Sequence, residues 1–267
     1  TLDFDGVNDY ISRSPFLGGR GEVTMMSWVK LDHSFDGGEI MGQRNFRLFL
    51  DSGKYLKAFV KTDSGVFSSV TTPVSAAPKL ATELWYHVAA TYNGATGTLK
   101  MYLNGDMVWQ FASLTGTVIK NNADWNDNHD FEIGRNTYGD NDYFEGDIYE
   151  TRVFNRTLTD DQIQRQINQE IENHSGNVRG TVIPKDIEGL KWNDLLLYYK
   201  MDIIETGYTP DESGASVAGR LHNMRTYQDR TAPLPYVTKS GGDGVWTSKN
   251  NWLHGSVWDI TETNHPA

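Results

Sequence analysis

The chain of 267 residues contains no cysteine. Disulfide bridges, thiolate-bound metal sites and cysteine nucleophiles are therefore all excluded. The absence of cysteine does not by itself assign a cellular compartment.

Long hydrophobic runs and an excess of basic residues are also missing. No apolar stretch approaches the roughly 20 residues that a membrane-spanning helix needs, so we expect no membrane insertion. Lysine and arginine number 24 against 35 aspartates and glutamates, which gives a net charge of -11. This balance argues against nucleic acid as a partner, because phosphate binding needs a positive surface. Neutral ligands, basic ligands or a bridging cation fit better, although acidity also serves simple solubility.

Motifs that announce a particular chemistry are scarce. The sequence has no EF-hand loop, since the required glycine and the spacing of the terminal glutamate are missing. It has no nucleophile elbow, phosphate-binding loop or histidine-rich metal motif. The chain opens directly on the strand-like residues 2–4, and we expect any export signal to lie upstream.

Short segments with alternating polarity predict an all-β fold. Phe46, Leu48 and Leu50 alternate with Arg47 and Phe49, which is the period of a half-buried strand. Turns with glycine, such as Asp36-Gly37-Gly38, separate the segments. We predict a two-sheet antiparallel jelly-roll sandwich over residues 1–171. The predicted strands cover residues 23–31, 46–50, 55–60, 66–72, 85–92, 98–103, 131–134 and 148–154.

One short helix is predicted at about residues 160–172. Thr159 lies three residues before Gln162, which is the spacing of a capping box. Ile163, Ile167 and Ile171 recur every fourth residue and would share one helical face. A strand followed by a capped helix suggests the end of the sandwich domain.

Residues 172–267 are predicted to form a linker and a loop-rich C-terminal extension, partly strand. Residues 172–181 are mostly polar and are typical of a linker or long loop. Residues 195–201 are too apolar to be left in water. We expect them to dock on the preceding domain as an added strand, or else to begin a further repeat.

Five stretches of the sequence, taken in order, carry a resemblance to a known family. They are residues 2–10 (LDFDGVNDY), 26–30 (MSWVK), 85–89 (WYHVA), 98–105 (TLKMYLNG) and 146–163. Together they resemble the bacterial form of the laminin-G-like, concanavalin-A-like lectin superfamily. The resemblance implies a two-sheet jelly roll that is often calcium-bound, usually non-catalytic and used for carbohydrate or protein recognition. Tyr149 departs from the family, which commonly has Asp before Glu150, so the resemblance does not carry a metal ligand over to that position.

The C-terminal residues resemble a second pattern. Residues 243–246 (DGVW) and 252–255 (WLHG) are similar to repeats in long bacterial surface proteins. The likeness implies a fragment of a large secreted or cell-surface multidomain protein.

The resemblance also suggests a cation site. If the first strand pairs with the last, as in the family, Asp5 and Asp9 approach Asp140 and Asp142. Calcium prefers six to eight oxygen ligands, so we predict these four aspartates as calcium ligands. The alternative is that Asp5 and Asp9 cap turns through bonds to the backbone.

Aromatic side chains in polar loops predict a sugar-binding surface. Trp125 and Asn126 lie in a loop rich in Asn and Asp, while Tyr138 and Tyr143 flank the acidic loop. Apolar sugar faces stack on aromatic rings, and sugar hydroxyls bond to amides and carboxylates. These four residues are the predicted ligand contacts, although Trp125 could instead fold back and plug the sandwich end.

The resulting hypothesis is a non-catalytic, secreted or cell-surface module that binds a glycan or surface polymer with the help of calcium. One alternative is a laminarinase-type glycoside hydrolase, because Glu145, Asp147 and Glu150 have the E-x-D-x-x-E spacing. We predict no catalysis, since strand alternation would put Glu150 on the opposite face from Glu145 and no glycine favours a bulge. Glu150 would then pair with Arg152 or a buried tyrosine. The other alternative is a structural spacer without a ligand.

Overall fold

Two antiparallel sheets form the sandwich predicted from the sequence. A computed structural model describes residues 1–64, 68–121, 129–202, 207–225 and Asn251. The first sheet contains β1 (Leu2–Asp5), β3 (Glu22–Leu31), β8 (Trp85–Asn93), β9 (Thr98–Leu103), β10 (Asp106–Phe111), β12 (Glu145–Phe154) and β16 (Leu195–Tyr199). Their order is β1-β12-β3-β8-β9-β10, and β16 pairs with β12.

The second sheet has eight strands in the order β17-β18-β2-β11-β4-β5-β6-β7. They are β2 (Tyr10–Arg13), β4 (Gly38–Gln43), β5 (Phe46–Leu50), β6 (Leu56–Lys61), β7 (Ser69–Thr71), β11 (Phe131–Ile133), β17 (Tyr208–Thr209) and β18 (Gly219–His222). The alternation in β5 has the predicted outcome: Phe46, Leu48 and Leu50 are buried in the core between the sheets, while Arg47 and Phe49 face outward.

A second core covers the outer face of the first sheet. It is built by the helix α1 (Asp160–Gln164) and a small sheet of β13 (Ile171–His174), β14 (Asn177–Gly180) and β15 (Asp186–Lys191). Successive residues of β3 serve different cores: Met25 faces the sandwich, whereas Met26 and Trp28 face the second core. Burial on both faces explains why β3 has apolar residues at consecutive positions, such as Met25 and Met26.

The helix is shorter than predicted. The capping box between Thr159 and Gln162 is present, but α1 ends at Gln164. Beyond its end, Arg152 donates to the carbonyl oxygens of Gln166 and Gln169, at 3.0 and 2.7 Å. Ile163, Ile167 and Ile171 are nevertheless all buried in the second core.

The predicted linker at residues 172–181 is wrong, because these residues lie largely in the hairpin β13–β14. Its turn residues Ser175 and Gly176 both have positive φ, 52° and 83°. Such a turn matches the twist of a hairpin, and serine is a weak sequence signal for it.

Strands from the C-terminal part of the chain are added to both main sheets. Leu195–Tyr199 forms β16, and it pairs with β12 between Thr151 and Phe154. Strand β1 occupies the neighbouring part of the same edge, opposite residues 145–148. Strands β17 and β18 extend the second sheet beside β2. Among the described residues, none belongs to a helix long and apolar enough to cross a membrane.

Candidate functional site

A bulge in β12 decides where the three carboxylates of the hydrolase hypothesis lie. The pairing of β12 with β3 shifts between Tyr149 and Arg152, and Glu150 has a φ of 56°. The prediction that no bulge forms here is therefore wrong, since a non-glycine residue adopts the required conformation. The bulge turns Glu150 toward the second core, on the same side of the sheet as Asp147.

The three carboxylates nevertheless occupy three different environments. Glu145 accepts a hydrogen bond from Ser34 Oγ at 2.5 Å. Asp147 is bonded to Lys30 Nζ at 2.6 Å.

Glu150 is buried and accepts hydrogen bonds from Arg152 and from the Tyr198 hydroxyl, as predicted. A retaining glycosidase needs two carboxyls about 5 Å apart that flank one bond. Of the three candidates, only Glu145 is among the described residues that line an open cleft, whereas Glu150 is paired in a buried position. The three carboxylates therefore do not flank one groove.

That cleft, of about 660 Å³, lies at one end of the sandwich. Its walls are the turn before β4, the end of β5, the loop of residues 136–143 after β11, and the start of β12. Gly38 allows the loop to come close, since a Cβ there would lie 2.7 Å from the carbonyl oxygen of Tyr143. The Glu39 backbone N–H donates to the Asp142 carbonyl at 2.8 Å and ties the loop to β4.

Negative charge dominates the cleft. Of the described residues that line it, Arg47 alone is basic, against six acidic side chains: Asp36, Glu39, Asp51, Asp140, Asp142 and Glu145. Arg47 is engaged by Glu39 in a two-pronged pair, with Nη2 to Oε2 at 2.6 Å. Burial raises the pKa of Glu39 to about 7 against the opposing effect of Arg47. The surface offered to a ligand is therefore rich in hydrogen-bond acceptors.

The predicted sugar contacts Tyr138 and Tyr143 lie in different places, and their binding role stays a prediction. Tyr143 lines the cleft, together with Phe49, which the sequence marked only as an outward position of β5. Tyr138 is 61% exposed and is not among the lining residues. It lies under the Arg44 guanidinium at 4.5 Å instead. Trp125 and Asn126 lie outside the described residues, so their role stays a prediction.

The four predicted calcium ligands do not converge. Asp5 Oδ1 accepts hydrogen bonds from the backbone N–H groups of Val7, Asn8 and Asp9, which is the alternative turn-capping role. Asp140 and Asp142 lie in the cleft loop.

Asp142 accepts from Asn136 Nδ2 at 2.9 Å, and Arg135 lies 3.3 Å from Asp140. In the described part of the chain, no group of three or more acidic or histidine side chains could hold a metal ion. The described side chains therefore do not fit the predicted site, and calcium itself stays a prediction.

Asp9 is expected to destabilise the fold when it is ionised. It is 3% exposed, and its Oδ1 finds no hydrogen-bond donor among the described residues. Burial, helped by the charge of Asp5, raises the pKa of Asp9 from 3.8 to about 6. The folded state thus holds this proton more tightly than the unfolded state. The resulting penalty is absent below pH 3.8 and complete above pH 6.

Asp9→Asn should therefore raise the free energy of unfolding by about 1 to 2 kcal/mol at pH 8 and change it little at pH 4. Urea denaturation at both pH values measures the effect. Asp5→Asn is the matched control and should lower the free energy of unfolding at pH 8. Three backbone N–H groups stabilise the Asp5 carboxylate, and its pKa is lowered. A loss of stability in Asp9→Asn at pH 8 would contradict the prediction.

Several lining residues were missed by sequence reasoning. The sequence marks Asp36 only as part of a glycine turn, and Glu39 and Arg47 carry no motif. The alternation in β5 was the one available signal, because it places the charged Arg47 and the aromatic Phe49 on the outward face. Which loops meet at that face depends on long-range pairing that spacing alone does not reveal.

Comparison with known structures supports the fold. A candidate carbohydrate-binding protein from Bacteroides ovatus is 24% identical, with a TM-score of 0.59 over 84% of this chain. The chain spans 58% of that protein's length. At this identity the likeness shows the fold alone.

Two further structures are less similar. A SAP-like pentraxin from Limulus polyphemus is 15% identical over 85% of this chain and 96% of its own, with a TM-score of 0.47. Domain 4 of the extracellular GH43 arabinanase AbnA from Geobacillus stearothermophilus, in complex with arabinotriose, is 19% identical. That match covers 61% of this chain and 74% of the other, with a TM-score of 0.45.

No curated protein sequence matches the chain. At the level of families, the concanavalin A-like lectin/glucanases profile named Laminin_G_3 matches residues 5–164, which is more than half of the chain. The matched segment begins at Asp5, the last residue of β1, and ends at the last residue of α1, so it includes β2 to β12 in full. The chain therefore belongs to the concanavalin A-like lectin/glucanases superfamily.

Proposed function

We propose that this chain is a non-catalytic carbohydrate-binding module whose ligand sits in the acidic cleft. The observation that carries the proposal is the lining of that cleft, which combines two aromatic side chains, Phe49 and Tyr143, with amides and carboxylates. Its volume of about 660 Å³ falls within the range of small-molecule sites.

The lining suits the chemistry of a sugar. Sugar hydroxyls donate hydrogen bonds, and carboxylate oxygens are strong acceptors. Asn136 and Asn141 line the same cleft and add amide groups that can both donate and accept. An aromatic ring presents an apolar face on which the C–H side of a sugar can stack.

The charge of the cleft favours some sugars over others. Since Arg47 is already engaged by Glu39, no described lining residue offers an uncommitted positive charge. Uronates and sulfated sugars would meet like charge, which costs binding free energy. The preferred ligands are therefore uncharged glycans.

The location and the role of calcium belong to the same proposal. Laminin-G-like and carbohydrate-binding domains are commonly extracellular, and we infer a secreted or cell-surface position for this chain as well. Calcium would assist binding, although the described side chains supply no ready set of ligands for it. Chelation in the binding experiment separates the two contributions.

A glycan array carrying neutral, uronate and sulfated glycans, probed with and without EDTA, tests the proposal. Binding to neutral glycans is expected. Tyr143→Ala should weaken it about tenfold or more, since a central aromatic contact commonly carries that much. Titration calorimetry with the best neutral oligosaccharide measures the loss.

Tyr208→Ala is the control, because Tyr208 is 46% exposed and lies on β17 at the far edge of the second sheet. It should leave the affinity unchanged. No glycan binding by the wild-type chain would favour a structural spacer. Release of reducing sugar from laminarin would favour the hydrolase.

A further inference from the structure

We infer that strand β18 supports the ligand cleft through a stack of three side chains, His222, Tyr10 and Arg135. The inference deepens the proposed function and rests on it where ligand affinity is concerned. It makes residues beyond the segment 5–164 part of the binding machinery. His222 and Arg135 are assigned as positioning residues, which act through the cleft loop and not on the ligand.

The stack joins strands β18 and β2 to Arg135, which lies two residues after the end of β11. His222 and Tyr10 are register partners in β18 and β2, and their rings are parallel within 2° with centroids 4.1 Å apart. The guanidinium carbon of Arg135 lies 3.7 Å from the centroid of the same tyrosine ring. Since both groups sit above the ring centre at contact distance, they must occupy opposite faces. Tyr10 is therefore clamped between His222 and Arg135.

Both ends of the stack are fixed by further bonds. Ser12 Oγ and His222 Nε2 form a hydrogen bond of 2.9 Å, which holds the imidazole over Tyr10. Arg135 donates from Nε to Glu132 Oε2 at 2.7 Å and from Nη2 to Glu132 Oε1 at 2.5 Å. Glu132 is 3% exposed and belongs to β11. The guanidinium plane is thus set by a buried carboxylate and an aromatic face together.

Arg135 transmits this order to the cleft. Its Nη2 lies 3.3 Å from Asp140 Oδ1, and Asp140 lines the cleft.

The loop of residues 140–142 needs such support, because Asp140, Asn141 and Asp142 are exposed. Asp140 and Asp142 also have positive φ values of 50° and 52°. Positive φ is unfavourable for non-glycine residues and persists where the surroundings enforce it. The stack supplies that enforcement from one side, and the bond from Glu39 to Asp142 supplies it from the other.

Hydrogen exchange measures the support without any ligand. The backbone N–H groups of Asn136 and Gly139 are bonded within the loop, to Asn141 and Asn136 respectively, and they report on its order. His222→Ala in the full chain should speed the exchange of these two N–H groups about threefold to tenfold. That factor corresponds to the free energy of one aromatic stacking contact. His222→Phe restores the ring without the imidazole and should bring exchange back toward wild type.

Arg135→Lys is the second variant. It keeps the positive charge but loses the planar contact with Tyr10 and the two-pronged bond to Glu132. We expect faster exchange in the same loop and weaker binding of the neutral glycan by a similar factor. Tyr208→Ala, in the strand that pairs with β18, is the matched control and should change neither quantity.

The outcomes separate the two proposals. Unchanged loop exchange in both His222→Ala and Arg135→Lys, with the fold intact by melting, would overturn the support role. A wild-type chain that binds no glycan would overturn the proposed function while the exchange data still decide the support role. If His222 only stabilised the fold as a whole, both His222→Ala and His222→Phe would lower the melting temperature and neither would speed exchange selectively in the loop. That outcome would also overturn the support role.

Discussion

A chain that ends at Ile171 is expected not to fold cooperatively, although it contains the whole of the matched segment. Nine buried side chains beyond that point contribute to the two cores. Leu197, Tyr199 and Met201 pack in the sandwich core. The other six pack in the second core: Val178, Ile187, Leu190, Trp192, Leu195 and Tyr198. At about 1.5 to 3 kcal/mol each, their loss is on the order of 10 kcal/mol or more, comparable with the whole stability of an ordinary domain.

The loss would not be confined to apolar area. Removal of β16 exposes the edge of β12 from Thr151 to Phe154, where unpaired backbone groups invite aggregation. It also removes the Tyr198 hydroxyl that donates to the buried Glu150 at 2.8 Å. The shortened chain is therefore expected to be poorly soluble as well as unstable.

The matched control is a chain that ends at residue 225, which keeps all eighteen described strands. It should give one cooperative transition in urea, while the 171-residue chain should give none. Circular dichroism in the near ultraviolet, which reports on packed tryptophan and tyrosine, is a second measure. A cooperative transition of similar midpoint in the shorter chain would contradict the prediction and support residues 1–171 as a self-sufficient domain.

What the sequence predicted well rests on short-range regularities. The alternation of Phe46, Leu48 and Leu50 predicts a strand with one buried face, and the structure has it. The capping box of Thr159 and Gln162 needs only four residues and is present. The apolar residues 195–199 have few places to go except a sheet edge, and they form β16.

What the sequence could not predict depends on contacts between distant segments. The bulge at Glu150 forms although no glycine marks it, and there Glu150 meets Arg152 and Tyr198, 48 residues further along the chain. Beyond the end of α1, Arg152 donates to the carbonyl oxygens of Gln166 and Gln169, a contact that helical periodicity does not reveal. The calcium prediction used correct strand pairing, as Asp5 lies opposite Glu145, but carboxylates already committed to their own turn are poor candidates for a shared cation.

Arg152→Met is expected to lower the free energy of unfolding by about 3 to 5 kcal/mol, because it leaves a buried carboxylate without its counter-charge. The Arg152 side chain is 2% exposed and the Glu150 side chain 4%. Besides pairing with Glu150, Arg152 donates hydrogen bonds to the carbonyl oxygens of Gln166 and Gln169, which would lose this donor. Methionine fills much of the same volume, so the cost is mainly electrostatic and not that of a cavity.

Arg156→Met is the matched control near the end of the same strand. The Arg156 side chain is 42% exposed, and it forms an ion pair with Asp194 at 3.2 Å. Exposed pairs of this kind contribute little, so a loss of less than about 1 kcal/mol is expected. Comparable losses in the two variants would show that burial of the Arg152 pair is not what matters.

The pH dependence of Arg152→Met gives the sharper test. Burial raises the pKa of Glu150 above its usual 4.5, and Arg152 opposes that rise, so removing Arg152 raises the pKa further. A carboxyl that holds its proton more tightly in the folded state loses stability as pH rises above its unfolded pKa. The loss in Arg152→Met should therefore be larger at pH 8 than at pH 5. Adding Glu150→Gln removes the buried charge, so it should recover stability at pH 8 and flatten the pH dependence. A pH-independent loss, unchanged by Glu150→Gln, would mean that the hydrogen bonds to Gln166 and Gln169 carry the stabilisation instead of the ion pair.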